Sequence, residues 1–96
     1  MHTAPPGPGL LRLRLYVAGH ADNSQRAIVN LKVICEQYYA SAHDIEIVDL
    51  LEEPLRALQD GILVTPTLTR VSPLPMRRVI GNLSDTAKVL QALGGG

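Results

Sequence analysis

Two apolar periodicities that follow one another directly constrain the fold of this chain most strongly. Between residues 10 and 17 apolar side chains alternate with polar ones, which is the period of a β-strand. Between residues 22 and 38 they recur every three or four positions, which indicates an amphipathic helix. The segment 44–50 is rich in β-branched residues and predicts a second strand. A strand, a crossover helix and a second strand predict a right-handed βαβ unit with parallel strands.

The first helix has a candidate start and a candidate buried face. Asp22, followed three residues later by Gln25, resembles a capping box, and Asn23 and Ser24 are competing caps. The apolar stripe that is predicted to cover the sheet consists of Ala27, Ile28, Leu31, Ile34, Cys35 and Tyr38.

The second half of the chain predicts a short helix followed by a hairpin. In the short helix, Leu55 and Leu58 are expected to form the buried side, and Gly61 suits the C-terminal cap. Two β-prone runs, at residues 67–71 and 77–80, are spaced for an antiparallel hairpin with a proline-containing connection.

A last helix completes the predicted fold. Ser84 is a good N-cap for it, and the terminal glycines end it. The resulting order is βαβαββα, an α/β fold in a single domain of residues 10–96. Residues 1–9 are dominated by proline and glycine and predict a loose arm outside the fold. The face of the last helix that is predicted to be buried consists of Ala87, Leu90 and Leu93.

Composition and charge limit the class of partner. A chain of 96 residues with 46% hydrophobic content suits one compact domain. Nine Lys and Arg balance nine Asp and Glu, so no net charge attracts nucleic acid or an anionic membrane. No apolar run reaches the roughly 20 residues of a membrane span, and the N-terminus lacks the pattern of a secretory signal. We therefore expect a cytoplasmic protein that binds other proteins.

Arginine and tyrosine side chains are the candidate contact residues. Arg77 and Arg78 could bind a phosphate or a partner carboxylate, or could be solvated charges, and in a strand they point to opposite faces. Tyr16, Tyr38 and Tyr39 combine an apolar ring with a polar tip, so an interface and the margin of the core are both open interpretations.

Short sequence motifs resemble two known groups of proteins. Thr65-Pro66-Thr67 directly before a strand looks like the thioredoxin fold, whose members carry a cis proline at this point. The wider text of the chain, over roughly residues 10–93, resembles the KaiB family. The motifs that carry this resemblance are Tyr16-Val17-Ala18-Gly19, Val48-Asp49-Leu50, Thr65-Pro66-Thr67-Leu68, Arg77-Arg78, Ile80-Gly81 and Leu83-Ser84-Asp85.

The KaiB resemblance implies a non-enzymatic adaptor in circadian timing or a related stress response. Such an adaptor docks on the hexameric RecA-like ATPase KaiC, regulates its phosphorylation or output, competes with a related sensor-kinase domain and recruits a KaiA-like regulator. Arg26 matches a basic position that the family uses at the ATPase surface. The resemblance also implies a homo-oligomer and a second fold, because family members can rest as a tetramer of order βαββααβ. Two folds of one sequence coexist only if they differ by a few kcal/mol.

Departures from the family pattern bear on which fold this chain prefers. Ala92 and Gly94 stand where clock members tend to have Gly and Asp. Ala in place of Gly in a helix interior is worth about 1 kcal/mol, which predicts the thioredoxin-like form. Together with Pro66 and Gly81, these two residues form the set predicted to govern the fold state. Glu46 and Gly61 replace basic residues that some clock members use at the ATPase surface.

Two other functional classes are alternatives to the adaptor. A thioredoxin-like redox protein needs a low-pKa cysteine after the first strand, but the turn there reads Gly19-His20-Ala21-Asp22, and Cys35 is predicted to be buried in the helix. A detached sensor-kinase input domain is the other alternative. His2, His20 and His43 lack ligand spacing, so we expect no metal and no cofactor.

Overall fold

A computed structural model describes residues 10–40 and 42–94 of the chain. The order of elements is βαβαββα, as predicted, and the prediction of a loose arm at residues 1–9 lies outside the described residues. The elements are β1 (Leu11–Val17), α1 (Asp22–Tyr38), β2 (His43–Asp49), α2 (Leu55–Asp60), β3 (Thr67–Ser72), β4 (Arg77–Ile80) and α3 (Thr86–Leu93).

The four strands form one mixed sheet in the order β2-β1-β3-β4. β1 and β2 are parallel, which confirms the predicted pairing, and β3 is antiparallel to both β1 and β4. β1 therefore lies in the middle of the sheet, while β2 and β4 form its two edges. One cross-strand row runs through all four strands on the same face and consists of Glu46, Arg14, Thr69 and Arg78.

The main core lies between one face of the sheet and the helices α1 and α3. Leu15 of the central strand has no exposed surface, and Cys35 of α1 is equally buried, as the sequence predicted. A smaller cluster on the opposite face joins Tyr16 and Val48 to Ile62, with Ala57 of α2 packed against it. The fold thus has three layers, with the sheet in the middle. The buried members of the main core are Leu11, Leu13, Leu15, Val17, Ala27, Leu31, Ile34, Cys35, Leu68, Val79, Leu83, Val89 and Leu93.

Two predicted helix caps are wrong. Ala21 is the N-cap of α1 and makes no side-chain cap bond. Ser24 is instead buried, and its Oγ accepts a hydrogen bond from the amide of Ala18 at 3.1 Å, because the tight turn after β1 brings that amide over the helix. At α3 the cap is Asp85 rather than Ser84, since its carboxylate accepts from the amide of Lys88.

Four of the predicted buried positions are also wrong. Leu55 and Leu58 are largely exposed, because α2 has only six residues and contacts the sheet through Ala57 and the following Ile62. Tyr38 is exposed at the end of α1, and in α3 Val89 is buried where Ala87 was expected. The C-cap of α2 is confirmed, since Gly61 has the left-handed conformation with φ 68°.

The last helix ends in a closely packed cap. Gly94 has φ 83°, and its amide donates to the carbonyls of Leu90 and Gln91. Arg70 of β3, 7% exposed, donates from one guanidinium nitrogen to the carbonyl of Leu93 and from the other to that of Pro75. A Cβ atom on residue 94 would lie 2.9 Å from the Arg70 guanidinium. Glycine is therefore favoured here by both the backbone angle and the available space.

A pair of leucine truncations tests this assignment of the core. We expect Leu15→Ala to lower the free energy of unfolding by about 2–5 kcal/mol, because a fully buried side chain leaves a cavity. Leu58→Ala, the matched control, is expected to change it by about 0.5 kcal/mol or less, because that side chain is 81% exposed. Urea unfolding followed by circular dichroism measures both. Similar losses for the two variants would contradict the exposed position of Leu58.

Candidate functional site

In redox proteins of this fold, the turn after β1 carries a reactive thiol. Here the backbone amides of that turn donate hydrogen bonds to side-chain oxygens of Asp49 and Ser24. The amide of Gly19 donates to the carboxylate of Asp49 at 2.9 Å, and the amide of Ala18 donates to Ser24. Leu51 lies so close to Gly19 that a Cβ there would come within 2.7 Å of its methyl group. The turn is therefore a packed structural corner, and no sulfur lies in it.

The cysteine of the chain is unsuited to nucleophilic chemistry. Cys35 is completely buried in the core, and burial raises the pKa of its thiol to about 11. The thiol therefore stays protonated at neutral pH, whereas thiol chemistry requires the thiolate. Within residues 10–40 and 42–94, no group of three His, Cys, Asp or Glu side chains is placed to hold a metal ion. In the same part of the chain, no helix is long and apolar enough to cross a bilayer.

A polar cluster on the opposite face of the sheet holds α2 in place. The hydroxyl of Tyr16, which is almost fully buried, donates to Asp60 Oδ2 at 2.6 Å. Arg56 Nε lies 3.4 Å from the same oxygen, and a guanidinium nitrogen of Arg14 lies 3.7 Å from it. Arg14 Nε also donates to Glu46 at 2.8 Å, which connects α2 to both β1 and β2.

The pKa shifts in this cluster follow from these contacts. The hydrogen bond from Tyr16 lowers the pKa of Asp60, and the neighbouring arginines add to the effect. Burial raises the pKa of Tyr16, and its hydrogen bond to Asp60 acts in the same direction. Hydrogen bonds to Tyr16 and Glu46 raise the pKa of Arg14. At neutral pH the Tyr16 phenol is therefore neutral, and it donates to an ionised Asp60 that lies beside two arginine cations.

Arg78 reinforces the same helix from β4. Its guanidinium donates to the carbonyl of Gly61 at 3.0 Å and to the carbonyl of Asp60. A cation at the C-terminal end of a helix is favourable, because the unpaired carbonyls there carry partial negative charge. Arg78 thus lies at the end of α2 with its side chain exposed.

Around α2 the chain exposes several large apolar side chains, which we call the α2 surface. Leu63 is 95% exposed, and α2 itself contributes two leucines. Large apolar side chains that are exposed near one another on a small domain are candidates for an interaction site. Arg78 lies beside it, so the surface combines apolar area with one cation. The members of the α2 surface are Leu51, Leu55, Leu58, Leu63 and Val64.

The four predicted contact residues do not form one site. Tyr16 and Arg78 come together at Asp60, although Tyr16 is buried, which favours the core interpretation left open for it. Arg26 lies on the exposed side of α1, paired with Asp22 at 3.1 Å. Arg77 lies on the face of the sheet opposite Arg78, as strand alternation predicted. It pairs in register with Arg70, which in turn pairs with Leu13 on the core face of β1.

Arg26 borders a shallow groove on the other side of the molecule. The groove runs between α1 and the loop from β4 to α3, and it is lined by Val29, Asn30, Asn82 and Ser84 besides Arg26. Asn30 Nδ2 donates to the carbonyl of Asn82 at 2.8 Å and fixes that loop against the helix.

Sequence reasoning missed the Asp60 cluster and the α2 surface. The alternation of Arg14 and Tyr16 with leucines was visible in the sequence, and it marked a polar face of β1. A polar face of this kind requires charged partners from the element that covers it. That signal could have predicted that α2 attaches by Arg56 and Asp60 rather than by its leucines.

Comparisons with known sequences find relatives over most of the chain. Residues 14–94 match the family model described as KaiB domain. The chain is 46% identical over 81 residues to the circadian clock protein KaiB3 of a Synechocystis strain, and 49% identical over 81 residues to the circadian clock oscillator protein KaiB of Synechococcus elongatus. Each alignment covers 84% of this chain and 79% of the relative.

Two solved structures share the architecture at low sequence identity. The N-terminal domain of Synechococcus elongatus SasA superimposes with a TM-score of 0.75 at 20% identity, covering 100% of this chain and 94% of that domain. Chloroplastic thioredoxin z superimposes with a TM-score of 0.72 at 17% identity, covering 91% of this chain and 78% of that one. These likenesses confirm the predicted thioredoxin-like fold. The peptide bond between Thr65 and Pro66 is cis in this chain.

Removal of one hydroxyl tests the Asp60 cluster. We expect Tyr16→Phe to lower the free energy of unfolding at pH 7 by about 1.5–3 kcal/mol, the usual contribution of a hydrogen bond to a charged group. The folded pKa of Asp60 is lowered, so its stabilising contribution is present above the unfolded value of about 3.9 and is lost as the pH falls through the folded value. The difference between wild type and Tyr16→Phe should therefore narrow in acid. Urea unfolding at a series of pH values measures it.

The matched control is Tyr38→Phe, because that side chain is 53% exposed. We expect its effect to be about 0.5 kcal/mol or less and independent of pH. An equal loss in both variants would contradict a specific bond between Tyr16 and Asp60.

Proposed function

Because this chain belongs to the KaiB family, we propose that it is a clock-type adaptor that binds a hexameric RecA-like ATPase of the KaiC type. In this proposal it regulates the phosphorylation or the output of that ATPase, in circadian timing or in a related stress response. It competes there with a sensor-kinase domain and recruits a KaiA-like regulator. The observation that carries the proposal is the 46–49% identity to curated clock proteins over 81 residues.

The α2 surface is the proposed docking site for the ATPase. Its five apolar side chains provide area that gains free energy when water is removed, at roughly 25 cal/mol per Å². Arg78 at the end of α2 provides a cation for a carboxylate on the partner. Tyr16 acts beneath this surface, as a positioning residue that holds α2 through Asp60.

Arg26 and Arg77 are proposed as further contacts outside the α2 surface, on the side of the sheet that carries α1 and α3. Both side chains are exposed, and the pairing of Arg26 with Asp22 is an exposed ion pair that contributes little to stability. A partner carboxylate can therefore compete for Arg26 at small cost. Catalysis has no part in this proposal, because the thiol of Cys35 is buried and protonated and the turn after β1 is closed.

The thioredoxin-like form is the proposed resting state. Ala92 lies inside α3, partly buried against the core, where alanine favours the helix. Gly94 supplies the left-handed cap, and Arg70 binds the carbonyl at the helix end. Gly81 has φ 117° at the start of the loop that leads into α3, a conformation that favours glycine. These contacts belong to this fold and stabilise it relative to the order βαββααβ.

Binding to the ATPase tests the proposal directly. We expect this chain, mixed with a KaiC-type hexamer and nucleotide, to co-elute with it in size-exclusion chromatography. Arg26→Glu should weaken the complex by about tenfold or more, because a buried or half-buried charge contact becomes a repulsion. The thermal unfolding of the variant should stay unchanged, because the side chain is exposed.

Lys32→Glu is the matched control, since it reverses an exposed charge on the same helix. Unchanged affinity of Arg26→Glu would remove Arg26 from the contact. Absence of any complex between the wild type and the hexamer, at high protein concentration and over hours, would refute the adaptor function.

A glycine substitution in α3 tests the proposed resting state. We expect Ala92→Gly to weaken α3 by about 1 kcal/mol and to raise the population of any competing fold by about fivefold. Amide resonances of α3 in two-dimensional NMR spectra report both states. A wild-type spectrum that shows only the order βαββααβ would overturn the proposed resting state.

A further inference from the structure

The edge strand β4 presents a row of backbone groups to the outside of the sheet. Among the described residues, β4 pairs only with β3. The amide of Gly81, directly after β4, donates inward to the carbonyl of Pro66. Because the backbone groups of successive residues point to opposite sides of a strand, the N–H and C=O groups of Ile80 and Arg78 point outward. These groups are available to bond to an added strand.

On the face that carries α2, the surroundings of this edge are apolar. Ile80 is 61% exposed, and its register places it in the same row as Tyr16 on that face. It lines a small hollow of about 90 Å³ together with Leu63 and Val64, which are both exposed. Arg78 lies on this face too, but its guanidinium is engaged with two backbone carbonyls at the end of α2. An added strand therefore meets mainly apolar side chains here.

On the face that carries α1 and α3, the exposed side chains beside β4 are cationic. Arg77 of β4 and Lys88 of α3 are both exposed, and neither makes an ion pair within the described part of the chain. Lys88 lines a hollow of about 190 Å³ beside Val79. Residues 61–84 contain no aspartate or glutamate, and Asp85, which also lines the hollow, holds its carboxylate on a backbone amide of α3. This face therefore offers two unpaired cations.

We propose that the β4 edge binds an extended segment of a partner protein in which acidic and apolar residues alternate. Successive side chains of a strand point to opposite faces of the sheet. An added segment of this pattern therefore directs its acidic residues to the face with Arg77 and Lys88. Its apolar residues then contact Ile80 and Leu63 on the other face, while the backbones pair. Charge, apolar contact and hydrogen bonding thus select the same occupant.

Other segments fit this edge less well. A segment with lysine or arginine in place of the acidic residues would meet like charge at Arg77 and Lys88. A segment that is polar on both faces would leave Ile80 in contact with water. β4 has only four residues, so the contact area is small and binding is weak, with a dissociation constant of about 1 mM.

The inference does not depend on the adaptor function. It concerns the chemistry of one strand edge, and a peptide tests that edge without the ATPase. Failure of the peptide to bind would leave the adaptor function standing, and failure of the ATPase to bind would leave the β4 edge standing.

A synthetic peptide of four Glu-Val repeats, blocked at both ends, is the probe. We expect it to shift the amide resonances of residues 77–81 in two-dimensional NMR spectra and to leave those of residues 43–49, on the other edge strand, unchanged. At about ten times the dissociation constant, exchange of the Arg78 and Ile80 amide protons with water should slow about tenfold, because the bound state protects them. This readout reports backbone pairing and is not moved by contact between charges alone.

Two control ligands separate strand addition from binding of charge. A peptide of four Lys-Val repeats has the same length and alternation but the opposite charge, and we expect no shift at residues 77–81. Inorganic phosphate offers charge without a backbone, and we expect it to leave the exchange of the Arg78 and Ile80 amide protons unchanged.

Two pairs of variants locate the contact. Arg77→Glu should weaken binding of the Glu-Val peptide about tenfold, whereas Arg12→Glu, which reverses an exposed charge on β1, should leave it unchanged. Ile80→Pro removes the outward N–H, which an edge strand tolerates, and should abolish binding. Ile80→Ala keeps that N–H and should weaken binding less. Thermal unfolding of the two arginine variants should match that of the wild type, because both side chains are exposed.

Several results would overturn the inference. Absence of any shift at residues 77–81 with the Glu-Val peptide at about 10 mM excludes it. Equal binding of the Lys-Val peptide, or equal weakening by Arg77→Glu and Arg12→Glu, shows that the cations beside β4 do not select the ligand. Binding without slower exchange at Arg78 and Ile80 shows that the ligand does not add as a strand, and this measurement on the wild type holds even if Ile80→Pro fails to fold.

Discussion

From Leu13 to Val17 the central strand β1 is covered on both of its faces, and this constraint shapes the rest of the molecule. Its leucine face is covered by α1 and α3 and forms the main core. Its other face carries Arg14 and Tyr16, whose polar atoms need partners once they leave water. Asp60 and Glu46 supply those partners, so α2 is fastened mainly by ionic and hydrogen-bonded contacts. The leucines of α2 are consequently exposed to solvent and available for contact with a binding partner.

The order of elements could be predicted from sequence because it depends on local periodicity. Alternation over β1 and the three- to four-residue spacing in α1 are properties of the chain itself, and both strands of the hairpin lie between recognisable turn residues. The helix caps could not be predicted in this way. Ser24 has the right chemistry for a cap, but the fold brings the amide of Ala18 to it instead.

The buried face of α2 was mispredicted for a related reason. Leu55 and Leu58 are the most apolar residues of that helix, and in an isolated amphipathic helix they would mark the core side. Here the covered strand presents polar groups, so Ala57, Arg56 and Asp60 face it. The candidate binding surface is therefore the part of the molecule that local pattern identified least well, while the absence of a reactive cysteine at the turn after β1 was plain from the sequence.

The buried guanidinium of Arg70 has a consequence for the last helix. It donates to two carbonyls, while its Nε has no hydrogen-bond partner in the described part of the chain. A cation loses hydration when a helix covers it, and two neutral carbonyls replace only part of that hydration. Water would return to Arg70 if α3 undocked, and this rehydration would offset part of the free energy needed to expose the apolar face of the helix. The contact between Arg70 and the end of α3 therefore stabilises the docked helix by less than its two hydrogen bonds alone would suggest.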